Sequence, residues 1–400
     1  MIIRYVMQNE TPLSLRSGRE KNREDTLKYI PGSTLLGGLA TIHTSLCANK
    51  RDELAHFFMQ NKINFSNLYP ASFEQDDLTM ADDSPIRPIP NTAFTCKVYR
   101  GFAHRSDKDD PKHGVRDHLI PWATYALSQQ QDCSALIAVR NCPCRQRNPI
   151  PMEQFSGFYR QHDQSIAASQ SKTELRTRTG INRWTGSTAQ GILYSREAIQ
   201  TGYKFWGTIQ FLDTSIQDDF EQFLKSASAK GLLRFGNNRS RGMGKLHLES
   251  STIQSYAPDS AETIAQRAQK FDAKLRESAN QHATAAFYLP ITLQSDAILF
   301  DRLFRSRLQL TPAICGFPMG KLVYQHAGKK RVMGWNGLWG LPKADTWAIT
   351  KGSVFLFELD SEPDFEALAA LQVNGVGARR TEGFGQLTVA DPFHLETNLR

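Results

Sequence analysis

Long apolar runs are missing from this 400-residue sequence. None approaches the roughly eighteen residues that cross a bilayer. The opening MIIRYVMQNETPLSL lacks the basic start and long apolar centre of a secretory signal. The expectation is a cytoplasmic protein with no membrane partner. Cysteine is scarce too: six in the whole chain exclude a disulfide-stapled scaffold and leave buried small residues or metal ligands. Catalytic signatures are equally absent. There is no HExxH, no GxSxG and no glycine loop followed by Lys and Ser or Thr, so zincin, α/β-hydrolase and P-loop chemistry find no footing. Acid is the minority charge, 40 Asp and Glu against 48 Lys and Arg; the net +8 favours an acidic partner but is thin when spread over the chain. Hydrophobic content of 40% and charged content of 22% are those of a globular protein. The length exceeds one ordinary core, and two domains are expected.

What is present is an uneven placement of glycine and arginine. RFGNNRSRGMGKL, residues 234–246, holds four basic side chains and three glycines with no acid. Glycines allow positive φ and close approach to backbone amides, while arginines bracket anionic oxygens, so phosphate is the natural guest. A hairpin tip with solvated charges has the same composition. A second copy, GVGARRTEGFGQLTV, aligns with the first at a constant offset of 141 residues: Gly236 with Gly377, Arg239 with Arg380, Gly242 with Gly383, Gly244 with Gly385 and Leu246 with Leu387. Repetition in register marks two related units. In the first loop, amides at Gly242 and Gly244 and the forks of Arg239 and Arg241 are expected to bind phosphate. In the second, Arg379, Arg380, Gly383 and Gly385 correspond, but Glu382 stands where the first has Arg241. That exchange favours the first loop.

Periodicity gives an α+β reading. IIRYVMQ alternates as a strand, and YIPGSTLLGGLATIHTSL opens a helix after Pro31 and Gly32, with Ser33 or Thr34 able to cap it and Leu35, Leu36, Leu39 and Ile42 on one face. YKFWGTIQFLD is a strand, SIQDDFEQFLKSASAKG an amphipathic helix, and GKLHLES a strand after the glycine loop. This rhythm predicts a ferredoxin-like unit. SVFLFELD, PDFEALAALQVNG, the second loop and QLTVADPF repeat its end, with AAFYLPITLQSDAIL as the opening strand. The expected division is a first domain over 1–255 carrying an insertion at about 70–180, a connecting helix over 256–285, and a second domain over 286–400. In ELRTRTGINRWTGSTAQGILYS, Arg176 and Arg178 share a face of an extended hairpin, Arg183 follows, and Trp184 either stacks on a base or is buried.

The insertion gathers Cys96, Cys133, Cys142 and Cys144, with His113 in KHGVRD. RNCPCRQRNP is an unusual place to leave two thiols. Zinc bound by Cys96, His113, Cys142 and Cys144, or with Cys133 substituting, would explain it and pin a segment poor in core; reduced, unligated cysteines are the alternative. Cys47 and Cys315 sit in apolar stretches as core residues do.

YIPGS opening a helix, RWTGSTAQGILYSREAI before an aromatic strand, and a terminal GxxRxxGxG loop together resemble the RAMP superfamily of CRISPR-associated RNA-binding proteins. Two such loops in one chain resemble the double-domain subunits of type III complexes that hold the 5′ handle of the guide RNA, and VMGWNGLWGLPKADTWAITKGSVFLFEL is most similar to the type III-D version. The resemblance covers about residues 1–50, 170–250 and 290–395 and rests on motif order rather than on one diagnostic motif. It implies two ferredoxin-like RAMP domains in tandem and a non-catalytic role holding guide RNA. The implied partners are backbone RAMP subunits and a large polymerase-like subunit, with target RNA a further one. It also implies that Gly32 and Ser33 at the first helix contact the guide, and that Arg176, Arg178, Arg183 and Trp184 belong to a thumb-like hairpin. The rival is a ribonuclease on the same scaffold, with His43 as general base or Asp25 as the loop aspartate that cuts target RNA.

Overall fold

The strand Ile2–Asn9 turns Ile3, Tyr5 and Met7 into the core, and its central Tyr5 and Met7 pair with Gly207 and Phe205 of Lys204–Phe211. In the computed structural model, which describes residues 1–16, 25–47, 49–72, 84–103, 112–142, 150–162, 165–181, 184–317, 319–337, 340–395 and 398–399, these two strands are the centre of the first sheet. Leu246–Leu248 flanks Ile2–Asn9 on one side, and Ile63–Phe65 flanks Lys204–Phe211 on the other. Numbered by occurrence, the four strands lie in the order 4-1-3-2, all antiparallel, with helix Gly32–Leu46 between strands one and two and Gln217–Ala229 between three and four. That is the ferredoxin-like arrangement. Leu35, Leu39 and Ile42 of the first helix and Phe220 and Leu224 of the second pack with Tyr5, Phe65 and Ile209 in one core. The helix entry differs from expectation. Pro31 is the N-cap, its carbonyl accepting from Thr34 and Leu35, and neither Ser33 nor Thr34 caps with its side chain. The fixed φ of proline preorganises this start, so a hydroxyl cap is not needed.

The second unit repeats the order. Lys321–His326, Val354–Leu359, Phe287–Leu293 and Leu387–Val389 are strands two, three, one and four of a 4-1-3-2 sheet, and Phe365–Asn374 is its second helix, capped by the Asp364 carboxylate. Between its strands one and two, the described residues contain no counterpart of Gly32–Leu46; beside the short pair Leu299–Phe300 and Ser306–Arg307, the helical element there is the 3-10 turn Pro312–Cys315 closed by Gly316 at φ 87°. Proline and glycine this close together leave no room for a helix.

The expected connecting helix is a core element. Ala261–Ala279, capped by Ser260, buries Ile264, Ala268, Phe271, Leu275 and Ala279. Phe271 and Leu275 cover the face of the second sheet that presents Tyr288, Val354 and Leu356, alongside Leu119 and Ala123. Strand Phe287–Leu293 is consequently buried at every position, which accounts for its unbroken apolar run. Contacts divide the chain into one compact unit of 1–86, 169–257 and 381–383 and another of 87–168, 258–380 and 384–400. The greater part of the cysteine-bearing segment expected as an insertion in the first domain thus lies with the second unit. There it forms a five-stranded sheet in the order Asn398–Leu399, Gly114–Asp117, Ala93–Cys96, Ile150–Gln154, Asn141–Cys142. No helix among the described residues is long and apolar enough to cross a membrane.

Candidate nucleic-acid interface

The two glycine loops share one backbone. Gly236 and Gly377 have φ of 78° and 77°, Asn238 and Arg379 59° and 60°, Gly242 and Gly383 79° and 85°, Gly244 and Gly385 78° and 75°. In each, a 3-10 turn, Arg239–Arg241 or Arg380–Glu382, sits between the left-handed positions. Sterics dictate two of the glycines. A Cβ on Gly244 would lie 2.0 Å from the carbonyl oxygen of Phe235, and one on Gly385 1.8 Å from that of Val376. These amides are also committed: Gly244 donates to the Pro12 carbonyl at 2.9 Å and Gly385 to that of Asp296 at 2.8 Å. Both amides, expected to face phosphate, are taken by the chain itself and pin the loop to the segment that follows the first strand of its unit.

The tips differ. In the first loop Arg239, Arg241 and Gly242 are exposed, and a Cβ on Gly242 would meet nothing within 4 Å. In the second, Glu382 and Gly383 are buried, and a Cβ on Gly383 would press on the Phe65 carbonyl at 2.8 Å. Arg379 is half-buried with its guanidinium 4.8 Å from the Phe384 ring centre, and Arg380 Nη1 donates to the Asn374 carbonyl at 3.2 Å. Gly383 and Gly385 are therefore structural positions, and among the four expected there only Arg380 has an exposed side chain.

The hairpin Thr173–Ile181 and Thr188–Ile199 forms as read, with Trp184 at its turn and 97% exposed. Burial of that tryptophan, the other reading, is excluded. Arg183 lies outside the described residues. Alternation along the first strand puts Glu174, Arg176 and Arg178 on one face, with Arg176 Nε 2.5 Å from Glu174 Oε1. Directly across from Arg176 stands Arg196, which places a third guanidinium on that face. Sequence reading missed Arg196; only the register of the two strands, which sets it opposite Arg176, places it on this face.

Gly32, expected at the interface, is buried; its amide donates to Asn67 Oδ1 at 3.0 Å, and a Cβ there would meet the Phe65 and Glu382 carbonyls at 2.7 Å. It too is structural. Ser33 is half-buried in the first turn.

One short segment holds the exposed features together. Leu13 pairs with Ile199 at the hairpin base, Pro12 receives the Gly244 amide, and Ser14 receives the Asn237 amide at 2.9 Å. Leu15 accepts from Leu27 at 2.8 Å, and Thr26 accepts from Leu15 and donates its amide to Glu197 of the hairpin at 2.9 Å. Hairpin and first loop thereby rise from one hydrogen-bonded frame.

His43 is fully buried, its ring 5.6, 6.0 and 5.2 Å from those of Phe57, Phe58 and Phe223, with Nε2 3.3 Å from Glu53. His43 is thus packed as a core residue among aromatic rings. Asp25 is half-buried beside Thr26.

In the cysteine-bearing sheet, Cys96 Sγ, Cys142 Sγ and a ring nitrogen of His113 lie within 4.8 Å of one another, with Nδ1 of His113 3.3 Å from Cys142 Sγ. Cys144 lies outside the described residues. Cys133 is exposed at the start of helix Ser134–Arg140 and is not in the group. Cys315 is buried, as expected, and burial pushes its thiol up to about 12. Cys47 is only half-buried.

A RAMP superfamily profile matches residues 7–247. No curated protein sequence matches the chain. Among solved structures, the chain is similar to a subunit of a type III-B Cmr-beta complex bound to cognate target RNA and AMPPnP, with TM-score 0.40 and 13% identity over 88% of this chain and 86% of that one. It is also similar to a Cas6 product complex, with TM-score 0.37 and 10% identity over 97% and 100%.

Proposed function

Because the chain belongs to the RAMP superfamily, we propose that it is a non-catalytic RNA-binding and assembly subunit of a type III CRISPR effector complex, holding the 5′ handle of the guide RNA. The observation that carries this reading is the common frame of residues 12–15, from which an arginine-glycine loop and an arginine hairpin tipped by an exposed tryptophan both project. Arg239 and Arg241 neutralise phosphates, and Arg176, Arg178 and Arg196 continue the positive surface along the hairpin. Trp184 stacks on an unpaired base, an interaction indifferent to base identity. Charge-assisted hydrogen bonds and stacking from one rigid frame fix a strand's position without chemistry, and the buried His43 fits that division of labour. Backbone RAMP subunits and a large polymerase-like subunit are the expected neighbours.

A gel shift with synthetic handle RNA tests the reading. Intact RNA moving to a slower band, more tightly than a scrambled strand of equal length, is the expected result. Shortened RNA would instead identify a ribonuclease, and equal binding of both strands a general single-strand binder. In the assembled complex, target-RNA cuts should persist in Asp25→Ala.

A further inference from the structure

The described residues contain two clusters with metal-ligand chemistry, one in each unit. In the first unit, His43, Cys47 and Glu53 come together, but Glu53 is already shared between His43 and Lys50, the latter at 2.5 Å, an ion-paired arrangement that needs no metal. The second cluster has no carboxylate. Cys96 ends strand Ala93–Cys96, Cys142 ends Asn141–Cys142, and His113 immediately precedes Gly114–Asp117, so three strands of one sheet deliver two sulfurs and an imidazole to one point. Both thiols are buried.

Distances separate the possibilities. A tetrahedral zinc with bonds of about 2.3 Å to sulfur and about 2.0 Å to nitrogen has a sulfur–nitrogen edge of roughly 3.5 Å and a sulfur–sulfur edge of roughly 3.8 Å. The 3.3 Å between His113 Nδ1 and Cys142 Sγ is close to the first of those edges, and Cys96 Sγ lies within 4.8 Å of both. The imidazole is braced by its neighbour Tyr99, whose ring centre lies 4.2 Å from its own and whose carbonyl accepts the His113 amide at 3.2 Å. A metal ligand whose ring is fixed from behind loses less freedom on binding.

We propose that Cys96, His113 and Cys142 supply three of the ligands of one tetrahedral structural zinc ion, which ties three strands of this sheet together beside the apolar cluster that includes Ala93 and Val115. Zinc binding displaces the two thiol protons to solvent, and the neutral imidazole donates a lone pair.

Native mass spectrometry of the full chain, purified without chelator, tests this with no RNA present, so its failure is separate from failure of the RNA reading. One zinc per chain, lost on acid denaturation, is expected. Cys96→Ser and Cys142→Ser should drop zinc to below about a tenth of an equivalent, while Cys133→Ser and Cys47→Ser keep it. Should the first two fail to fold, cobalt exchanged into the wild-type chain supplies the second arm, through a sulfur-to-cobalt charge-transfer band in the near ultraviolet. A zinc-free wild-type chain, zinc retained in folded Cys96→Ser, or cobalt bound without the sulfur band would each overturn the proposal.

Discussion

Gly242 and Gly244 are two residues apart, share a left-handed φ, and differ in what surrounds them. Alanine at Gly242 meets open space and carries only the strain of its φ, about 1 kcal/mol. At Gly244 it also drives a methyl into the Phe235 carbonyl, and a loss of at least about 3 kcal/mol is expected, read as a drop in urea midpoint at unchanged slope. Equal losses would mean that the packing under Gly244 yields. His118 supplies the pH counterpart. Burial, opposed by Asp117 and reinforced by Arg116, lowers its pKa to about 4, and its ring stacks on Phe94 at 4.3 Å. The unfolded chain then takes up a proton near pH 6.5 that the folded chain refuses until near pH 4, so stability falls as pH drops through that window and levels off below it. The loss is about 3 kcal/mol at most. His118→Gln should flatten this part of the stability profile while the opposite contribution of His394, whose pKa is raised, remains. An unchanged profile would show that His118 takes its proton without cost to the fold.

The loop and the hairpin bind through different physics, and salt separates them. Each phosphate that a single strand no longer has neutralised removes about 0.7 from the slope of log affinity against log salt. Arg239→Ala with Arg241→Ala should therefore lower that slope by about 1.4 along with affinity. Trp184→Ala should weaken binding by roughly five- to 150-fold, a stacking loss of about 1–3 kcal/mol, with the slope unchanged. A slope that moves in Trp184→Ala would place the ring against backbone rather than base. At this scale the sequence was informative where period and repetition spoke: the loops at their constant offset, the alternating Arg176 and Arg178, the ferredoxin rhythm. It was silent on which amides were already taken. Gly244 and Gly385 belong to the same repeated pattern as Gly242, and Gly32 opens a helix as an interface residue can; only their partners Pro12, Asp296 and Asn67, distant in sequence, separate these structural glycines from the exposed one.

Two units built on one plan have diverged in what they expose. The first keeps its helix between strands one and two and an open loop tip; the second reduces that helix to a 3-10 turn and gains the cysteine-bearing sheet. Sequence reading assigned that sheet to the first unit because it lies between the first unit's strands in the chain. Packing assigns it to the second, through helix Leu119–Leu127 against Ala261–Ala279 and strand Asn398–Leu399 beside Gly114–Asp117. Packing between segments hundreds of residues apart leaves no local mark in composition. Divided roles predict a divided response to ligands, since a bound ligand suppresses openings of the elements that hold it. Hydrogen exchange followed by mass spectrometry along the full chain should show handle RNA slowing peptides from 12–15, 173–181 and 234–246, with the cysteine-bearing strands unchanged. Removing metal with a chelator should speed exchange in 93–96, 114–117 and 141–142 and leave the first set alone. Protection by RNA confined to 376–389 would move the interface to the second unit, and a uniform response of all peptides to either ligand would mean that the two units open as one.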